Sequence, residues 1–158
     1  MITSPIGPND AAKALMRTTQ DIMSTAVCTV TPDMRLARAA ELLAENQVSG
    51  APVCDRDGRV IGILSESDLT DAFAGRHERT VADVMTPEVL SVRSDQPIGQ
   101  AIRTMAFEGV HRLVVLDEKG LLRGIVTSMD ILRELAGFER EDRRGTSVAP
   151  PEERGRGA

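Results

Sequence analysis

Tryptophan and tyrosine are absent, and phenylalanine occurs only at Phe73, Phe107 and Phe138, so aromatics make up 2% of the chain. Stacking platforms that hold single-stranded nucleic acid need aromatic faces, and a net charge of −5 repels a phosphate backbone. Both features argue against a nucleic-acid partner. Long apolar runs are lacking too. The longest aliphatic stretch is Leu113 to Leu116, far short of the roughly 18 residues that cross a bilayer. No basic segment followed by an apolar stretch opens the chain. Cysteine is scarce: Cys28 and Cys54 show no C-x-x-C spacing, and His77 and His111 lie far apart, so neither a disulfide framework nor a metal site is expected. Both thiols sit in apolar runs and read as small core residues, reduced in a cytoplasmic protein. The segment Gly58 to Gly62 lacks the Gly-Lys-Ser/Thr ending of a phosphate loop, which excludes a P-loop NTPase.

What is present is enough to fold. Of 158 residues, 41% are hydrophobic and 27% charged, a balance that supports an ordinary core in a mildly acidic protein.

The dominant signal is an internal repeat. Asp21-Ile22-Met23-Ser24 returns as Asp83-Val84-Met85-Thr86 at an offset of 62 residues, and the offset holds without a gap. Val30 maps to Val92, Ala39 to Ala101, Val48 to Val110, Val53 to Val115, Gly58 to Gly120, Gly62 to Gly124 and Asp68 to Asp130. The organisation read from this is an N-terminal extension with a short helix (1–20), repeat 1 (21–75), a linker (76–82), repeat 2 (83–137) and a disordered tail (138–158).

Each copy shows the same order of periods. A β-branched run (Val27 to Val30; Val89 to Val92) predicts a strand. Apolar residues at helical spacing (Leu36, Ala39, Ala40, Leu43; Ile98, Ala101, Ile102, Met105) predict an amphipathic helix. Two apolar runs then flank Asp55-Arg56-Asp57-Gly58 or Asp117-Glu118-Lys119-Gly120, the signature of a hairpin. Ser67 and Ser128 are placed to cap a final helix, with Asp68 and Asp130 in its first turn. The unit is β-α-β-β-α and the class α+β. Such a unit is too small to bury a good core alone, so the two copies are expected to pack sheet to sheet with pseudo-twofold symmetry, leaving a cleft between them.

These motifs resemble the tandem cystathionine-β-synthase (CBS) domain family, whose domain pair is called a Bateman module. The resemblance rests on the paired Asp-Ile-Met and Asp-Val-Met, on Gly-Ala-Pro-Val and His-Arg-Leu-Val-Val, and on Gly62-Ile63-Leu64-Ser65-Glu66-Ser67-Asp68 and Gly124-Ile125-Val126-Thr127-Ser128-Met129-Asp130. It implies a regulatory, non-enzymatic pair that binds AMP, ADP, ATP or S-adenosylmethionine in the inter-repeat cleft, with the flanking glycines letting backbone approach the ligand. It also implies signalling in trans to an unidentified protein partner, and a homodimer.

Carried onto this chain, the family pattern implies two unequal sites. In site 1, Asp68 holds the ribose diol with Ser65 and Ser67 nearby, Val89 and Leu90 face adenine, and His111 and Arg112 meet phosphate. In site 2, Thr127, Ser128 and Asp130 play the matching parts against Val27 and Cys28. There Ser49 and Gly50 replace the His-Arg pair, so the weaker site suits a neutral or cationic nucleoside or stays empty. Ser49 and Met129 stand where some nucleotide sensors carry further Arg or Lys.

Other readings of the same residues remain open. Asp68 and Asp130 also suit a helix dipole with no ligand role, and His111 with Arg112 also suits a solvated pair. At the level of the whole chain, the rivals are a structural dimerisation scaffold with vestigial sites and a nucleotide hydrolase using Asp68 and His111. The hydrolase lacks clustered carboxylates and a nucleophile motif.

Overall fold

The computed structural model describes residues 7–75 and 79–137. The expected disordered tail at 138–158 lies outside them. The described chain is α+β, as its periods require. A short helix α1 (Pro8–Met16) and a 3-10 turn (Thr19–Asp21) lead in. Then come α2 (Leu36–Glu45), β1 (Gly50–Cys54), β2 (Val60–Ser65) and α3 (Glu66–Ala74). A one-turn helix α4 (Val81–Val84) connects to β3 (Ser91–Arg93), α5 (Ile98–Glu108), β4 (Arg112–Leu116), β5 (Leu122–Thr127) and α6 (Ser128–Leu135).

The elements fall into two compact units. Unit I gathers described residues 7–25, 90–119 and 123–137; unit II gathers 26–75, 79–89 and 120–122. Each has its own core. In unit II, Leu36, Ala39, Leu42 and Leu43 of α2 pack with Val30, Val53, Leu64 and Leu69. In unit I, Ile98, Ala101 and Met105 of α5 pack with Val92, Leu113, Val115, Val126 and Ile131. The helical spacing read from sequence therefore identifies the buried faces, with Ala40 and Ile102 half-buried at their margins.

The unit boundaries cut across the sequence repeats. Asp21-Ile22-Met23-Ser24 opens repeat 1 but belongs to unit I, where Ser24 bridges Ile125 of β5. Its counterpart Asp83-Val84-Met85-Thr86 belongs to unit II, where Thr86 bridges Ile63 of β2. These contacts explain Gly124 and Gly62. A Cβ at Gly124 would lie 2.5 Å from the Ser24 carbonyl oxygen and 2.9 Å from the Met23 sulfur. At Gly62 it would lie 2.7 Å from the Met85 sulfur and 2.9 Å from the Thr86 carbonyl oxygen. The sequence suggested that these glycines admit a ligand. In the structure each admits the chain's own Met-Ser or Met-Thr segment.

The two sheets also differ from expectation. Among the described residues, unit I has a three-stranded sheet in the order β3-β4-β5, with β3 parallel to β4, and unit II has the antiparallel pair β1-β2. The strand expected over Val27 to Val30 reduces to a single parallel bridge, Val30 to Val53. Pro52 is the reason. In unit I the Val114 N–H donates to the Leu90 carbonyl at 3.2 Å, and the equivalent pair in unit II is Pro52 and Cys28, where proline has no N–H to give. The ladder can form only on the C-terminal side, where Val30 donates to the Pro52 carbonyl (3.1 Å) and Cys54 donates to the Val30 carbonyl (2.9 Å).

The short helix expected in the N-terminal extension is α1. It packs in unit I against α5 and α6, held by an ion pair from Arg17 to Glu134 and by the Ile98 N–H donating to the Arg17 carbonyl at 2.8 Å.

Candidate functional site

The last helix of each repeat starts from the same device. In unit II, β2 ends at Ser65, whose extended backbone (φ −114°, ψ 161°) makes it the N-cap of α3. The Ser65 hydroxyl accepts from the Asp68 N–H (3.3 Å), while the Ser65 N–H and hydroxyl donate to Asp68 Oδ2 at 2.8 and 2.7 Å. In unit I, Thr127 and Asp130 repeat the arrangement at φ −115°, ψ 161°, with Oδ2 of Asp130 accepting from the Thr127 N–H (2.8 Å) and hydroxyl (2.9 Å). These are capping boxes: N-cap and third helical residue satisfy each other's backbone N–H groups.

This corrects the capping roles expected of Ser67 and Ser128. The caps are Ser65 and Thr127, because the strand runs on to them and the box needs the acid three residues later. Ser67 lies inside α3, within 2.9 Å of the Ser65 hydroxyl, and Ser128 is the first residue of α6.

In both boxes the bonds fall on Oδ2 and Oδ1 takes none of them. Asp68 and Asp130 are half-buried. Each therefore presents one further acceptor oxygen at a rigid helix start, the group needed to take hydrogen bonds from a diol.

The structure divides the expected site 1 residues between units. Ser65, Ser67, Asp68 and the half-buried Val89 belong to unit II; the exposed Leu90, His111 and Arg112 belong to unit I. For site 2, Thr127, Ser128 and Asp130 belong to unit I, while Val27, Cys28, Ser49 and Gly50 belong to unit II. Within unit I, the His111 carbonyl accepts from the Ser128 N–H at 2.9 Å, which sets the His111-Arg112 pair beside the start of α6. Within unit II, the Ser49 carbonyl accepts from the Glu66 N–H at 2.8 Å. Cys28 is buried, its sulfur 3.4 Å from Asn46 Nδ2, so its side chain belongs to the unit II core. Burial, reinforced by the neighbouring Asp55 carboxylate, pushes the Cys54 thiol above its ordinary range, and this thiol stays protonated at neutral pH.

A concavity flanks each helix start. In unit II, a hollow of about 480 Å³ is lined by Ser49, Ser65, Glu66, Ser67, Thr70 and Asp71, all hydroxyls and carboxylates. In unit I, a groove of about 500 Å³ has α5 and α6 for its walls and is chiefly aliphatic. Sequence reasoning missed Glu66, Thr70 and Asp71 because charges on an exposed helix face carry no motif. It missed the groove because its aliphatic residues fit the period of an ordinary core. Among the described residues no three His, Cys, Asp or Glu side chains gather to hold a metal ion, and no helix is long and apolar enough to cross a membrane.

Comparison with known proteins agrees with this architecture. The CBS domain model matches residues 20–75 and 81–137. A CBS domain pair solved with 5′-methylthioadenosine and S-adenosylmethionine superposes with a TM-score of 0.68 at 27% identity, covering 78% of this chain and 99% of that one. CBSX2 of Arabidopsis thaliana, solved with AMP, gives 0.68 at 30% identity, covering 78% and 98%. An uncharacterized protein of Methanocaldococcus jannaschii is 33% identical over 117 residues, 74% of this chain and 39% of that protein. The chain spans 39% and 25% of the first two curated relatives but 84% and 89% of the next two, and those that are enzymes match over 21% to 25% of their length. With both repeats matched by the family model, the chain belongs to the CBS domain family and carries two of its domains.

Proposed function

We propose that this chain is a regulatory, non-catalytic module that senses AMP, ADP or ATP, or S-adenosylmethionine, and signals in trans to a protein partner, acting as a homodimer. The observation that carries the reading is the paired device at Ser65-Asp68 and Thr127-Asp130, each holding a carboxylate with one oxygen tied by its cap and one left over. It occurs in a chain similar to domain pairs solved with AMP and with S-adenosylmethionine.

Asp68 and Asp130 each take a ribose diol, with Ser65 and Ser67, or Thr127 and Ser128, supplying hydroxyls beside them. Val89 and Leu90 face one adenine. Val27 and the backbone at Cys28 face the other. His111 and Arg112 draw phosphate, Arg112 as a fixed, permanently charged fork. Ser49 and Gly50 offer no such charge, so the two ligands differ in phosphate preference. Binding shifts the protein between states only by its differential affinity for them, and a partner reads that shift.

Thermal unfolding with millimolar AMP, ADP, ATP, S-adenosylmethionine and NADH tests the reading, because a ligand of the native state raises the midpoint by mass action. The expected result is a rise with a phosphorylated adenosine ligand that Asp68→Asn and Arg112→Ala each remove while the proteins stay folded. No rise with any of the five in a folded protein overturns it and leaves the structural scaffold.

A further inference from the structure

We propose that Asn46 is a positioning residue for Val27 and Cys28, holding through its side chain what a backbone ladder holds in the other repeat. That Val27 and Cys28 face adenine rests on the adenosine reading above; the hold itself lies wholly within unit II.

Asn46 follows the last residue of α2 and is only 4% exposed; among the described residues, Thr19 is the one other buried polar side chain. Its Nδ2 donates to the Leu42 carbonyl at 2.7 Å and to the Cys28 sulfur at 3.4 Å. The carboxamide cannot be turned round, since Oδ1 would then face the Leu42 oxygen. Leu42 does not depend on this donor, because its carbonyl also accepts from the Asn46 backbone N–H at 3.0 Å. Oδ1 is buried without a partner, and an unpaired buried acceptor costs stability. A residue serving only the helix end or the core would be apolar here, or would sit in water as its counterpart Glu108 does. What Asn46 supplies beyond either is the contact with Cys28.

The need for that contact comes from Pro52. In unit I the Val114 N–H donates to the Leu90 carbonyl at 3.2 Å, and the side chains of Leu90 and Glu108 are exposed. In unit II proline cannot make that bond to Cys28, and the ladder begins two residues later, where Val30 donates to the Pro52 carbonyl at 3.1 Å. Three positions thus differ together: Pro52, Cys28 and Asn46 stand against Val114, Leu90 and Glu108. The first difference removes a backbone hydrogen bond, and the other two bring a buried side-chain donor and acceptor together. The position of Val27 and Cys28 therefore depends on Asn46, where that of Val89 and Leu90 depends on the sheet.

The test reads the hold and the ligand separately in the full chain. First, alkylation of Cys28 and Cys54 by iodoacetamide is followed thiol by thiol by mass spectrometry, without ligand. Asn46→Leu keeps the volume and removes the amide. It should speed Cys28 alkylation about fivefold, as loss of one buried hydrogen bond does, and leave the Cys54 rate and the unfolding midpoint unchanged. Pro52→Val copies Val114 and returns an N–H, so it should restore the slow rate in the Asn46→Leu background. Second, binding of AMP and of S-adenosylmethionine is measured by calorimetry in two backgrounds, Asp68→Asn to leave the site at Cys28 and Asp130→Asn to leave the other. Asn46→Leu should weaken binding about threefold in the first background and change nothing in the second. Cys28→Ala, which removes the acceptor, should weaken it equally, and Cys28→Ser, which keeps one, should not. The proposal is overturned if Cys28 reacts no faster, if both thiols speed up together, or if binding in the Asp68→Asn background keeps its full strength. A wild type that binds neither ligand overturns the adenosine reading and removes adenine from what Val27 and Cys28 face, while the alkylation rates still decide the hold.

Discussion

The starts of α3 and α6 have nearly the same backbone and very different surroundings. Their N-caps agree within a degree in φ, and each uses a hydroxyl and an aspartate three residues later in the same hydrogen bonds. Around them, Ser49 stands against His111, Glu66 against Ser128, Thr70 against Leu132 and Asp71 against Arg133. The positions that the backbone depends on are shared; those that only line the hollow have diverged. A duplicated unit can thus hold its geometry while its two concavities acquire opposite chemistry. Substitutions at shared positions should cost stability in both units, and substitutions at the diverged positions that line the hollows should change binding alone.

The largest effects are expected at Gly124 and Gly62. A methyl at Gly124 would press on a backbone oxygen at 2.5 Å, which cannot rotate away. At Gly62 the closest atom is the Met85 sulfur at 2.7 Å, the end of a flexible side chain, with the Thr86 oxygen behind it at 2.9 Å. Gly124→Ala should therefore cost about 3 kcal/mol and Gly62→Ala about 2 kcal/mol, as overpacking of a closed contact does. Urea unfolding of both variants reads the difference; negligible losses would mean that the Met-Ser and Met-Thr segments do not sit on these glycines.

Much of this comparison was legible in the residues. The offset of 62 revealed the duplication, the apolar spacing found Leu36, Ala39 and Leu43 with Ile98, Ala101 and Met105, and Asp-x-x-Gly found both hairpin turns, whose Gly58 and Gly120 take φ of 82° and 78°. The missing strand in unit II was also readable, since Pro52 interrupts the donors a parallel ladder needs, but periodicity alone passes over one absent N–H. The caps were misplaced, by two residues at Ser67 and by one at Ser128, because a serine near an acid is not enough; the three-residue spacing to the acid decides. Segment 21–24 joining unit I instead of its own repeat left no local trace. That exchange depends on packing against a strand some hundred residues away, which no local period or turn signal encodes.

Next in size are the capping boxes. Ser65→Ala and Thr127→Ala should each cost about 1 kcal/mol, while Ser67→Ala and Ser128→Ala should change stability little. Denaturant midpoints for the four variants distinguish the two assignments, and a larger loss at Ser67 or Ser128 would reverse them. A third box, Thr80-Asp83 at α4, adds a pH dependence. The Thr80 backbone N–H and then its hydroxyl hold the Asp83 carboxyl below its ordinary value. A folded-state value below the unfolded one means that Asp83 contributes stability above the ordinary aspartate range, lost as pH falls through its lowered value. Asp83→Asn should reduce the acid sensitivity of unfolding, and an unchanged pH profile would remove Asp83 from it.

The smallest effect lies where α2 and α5 end. Both chains turn into the left-handed region at the same repeat position, but α5 does so with Gly109 (φ 68°) and α2 with Gln47 (φ 54°). A side chain in that region costs roughly 1 kcal/mol, whereas glycine occupies it freely and gives back part of the gain through the greater freedom of the unfolded chain. Gln47→Gly should thus stabilise by about 0.5 kcal/mol, and Gly109→Gln, with nothing within 4 Å of its added Cβ, should destabilise by a similar amount through backbone strain alone. The two substitutions exchange the repeats at one position, so their effects should be opposite in sign and close in size. If Gln47→Gly destabilises instead, the Gln47 side chain makes a contribution that outweighs its strain. The end of α2 would then be a place where unit II, like its acidic hollow, has diverged for a purpose other than folding.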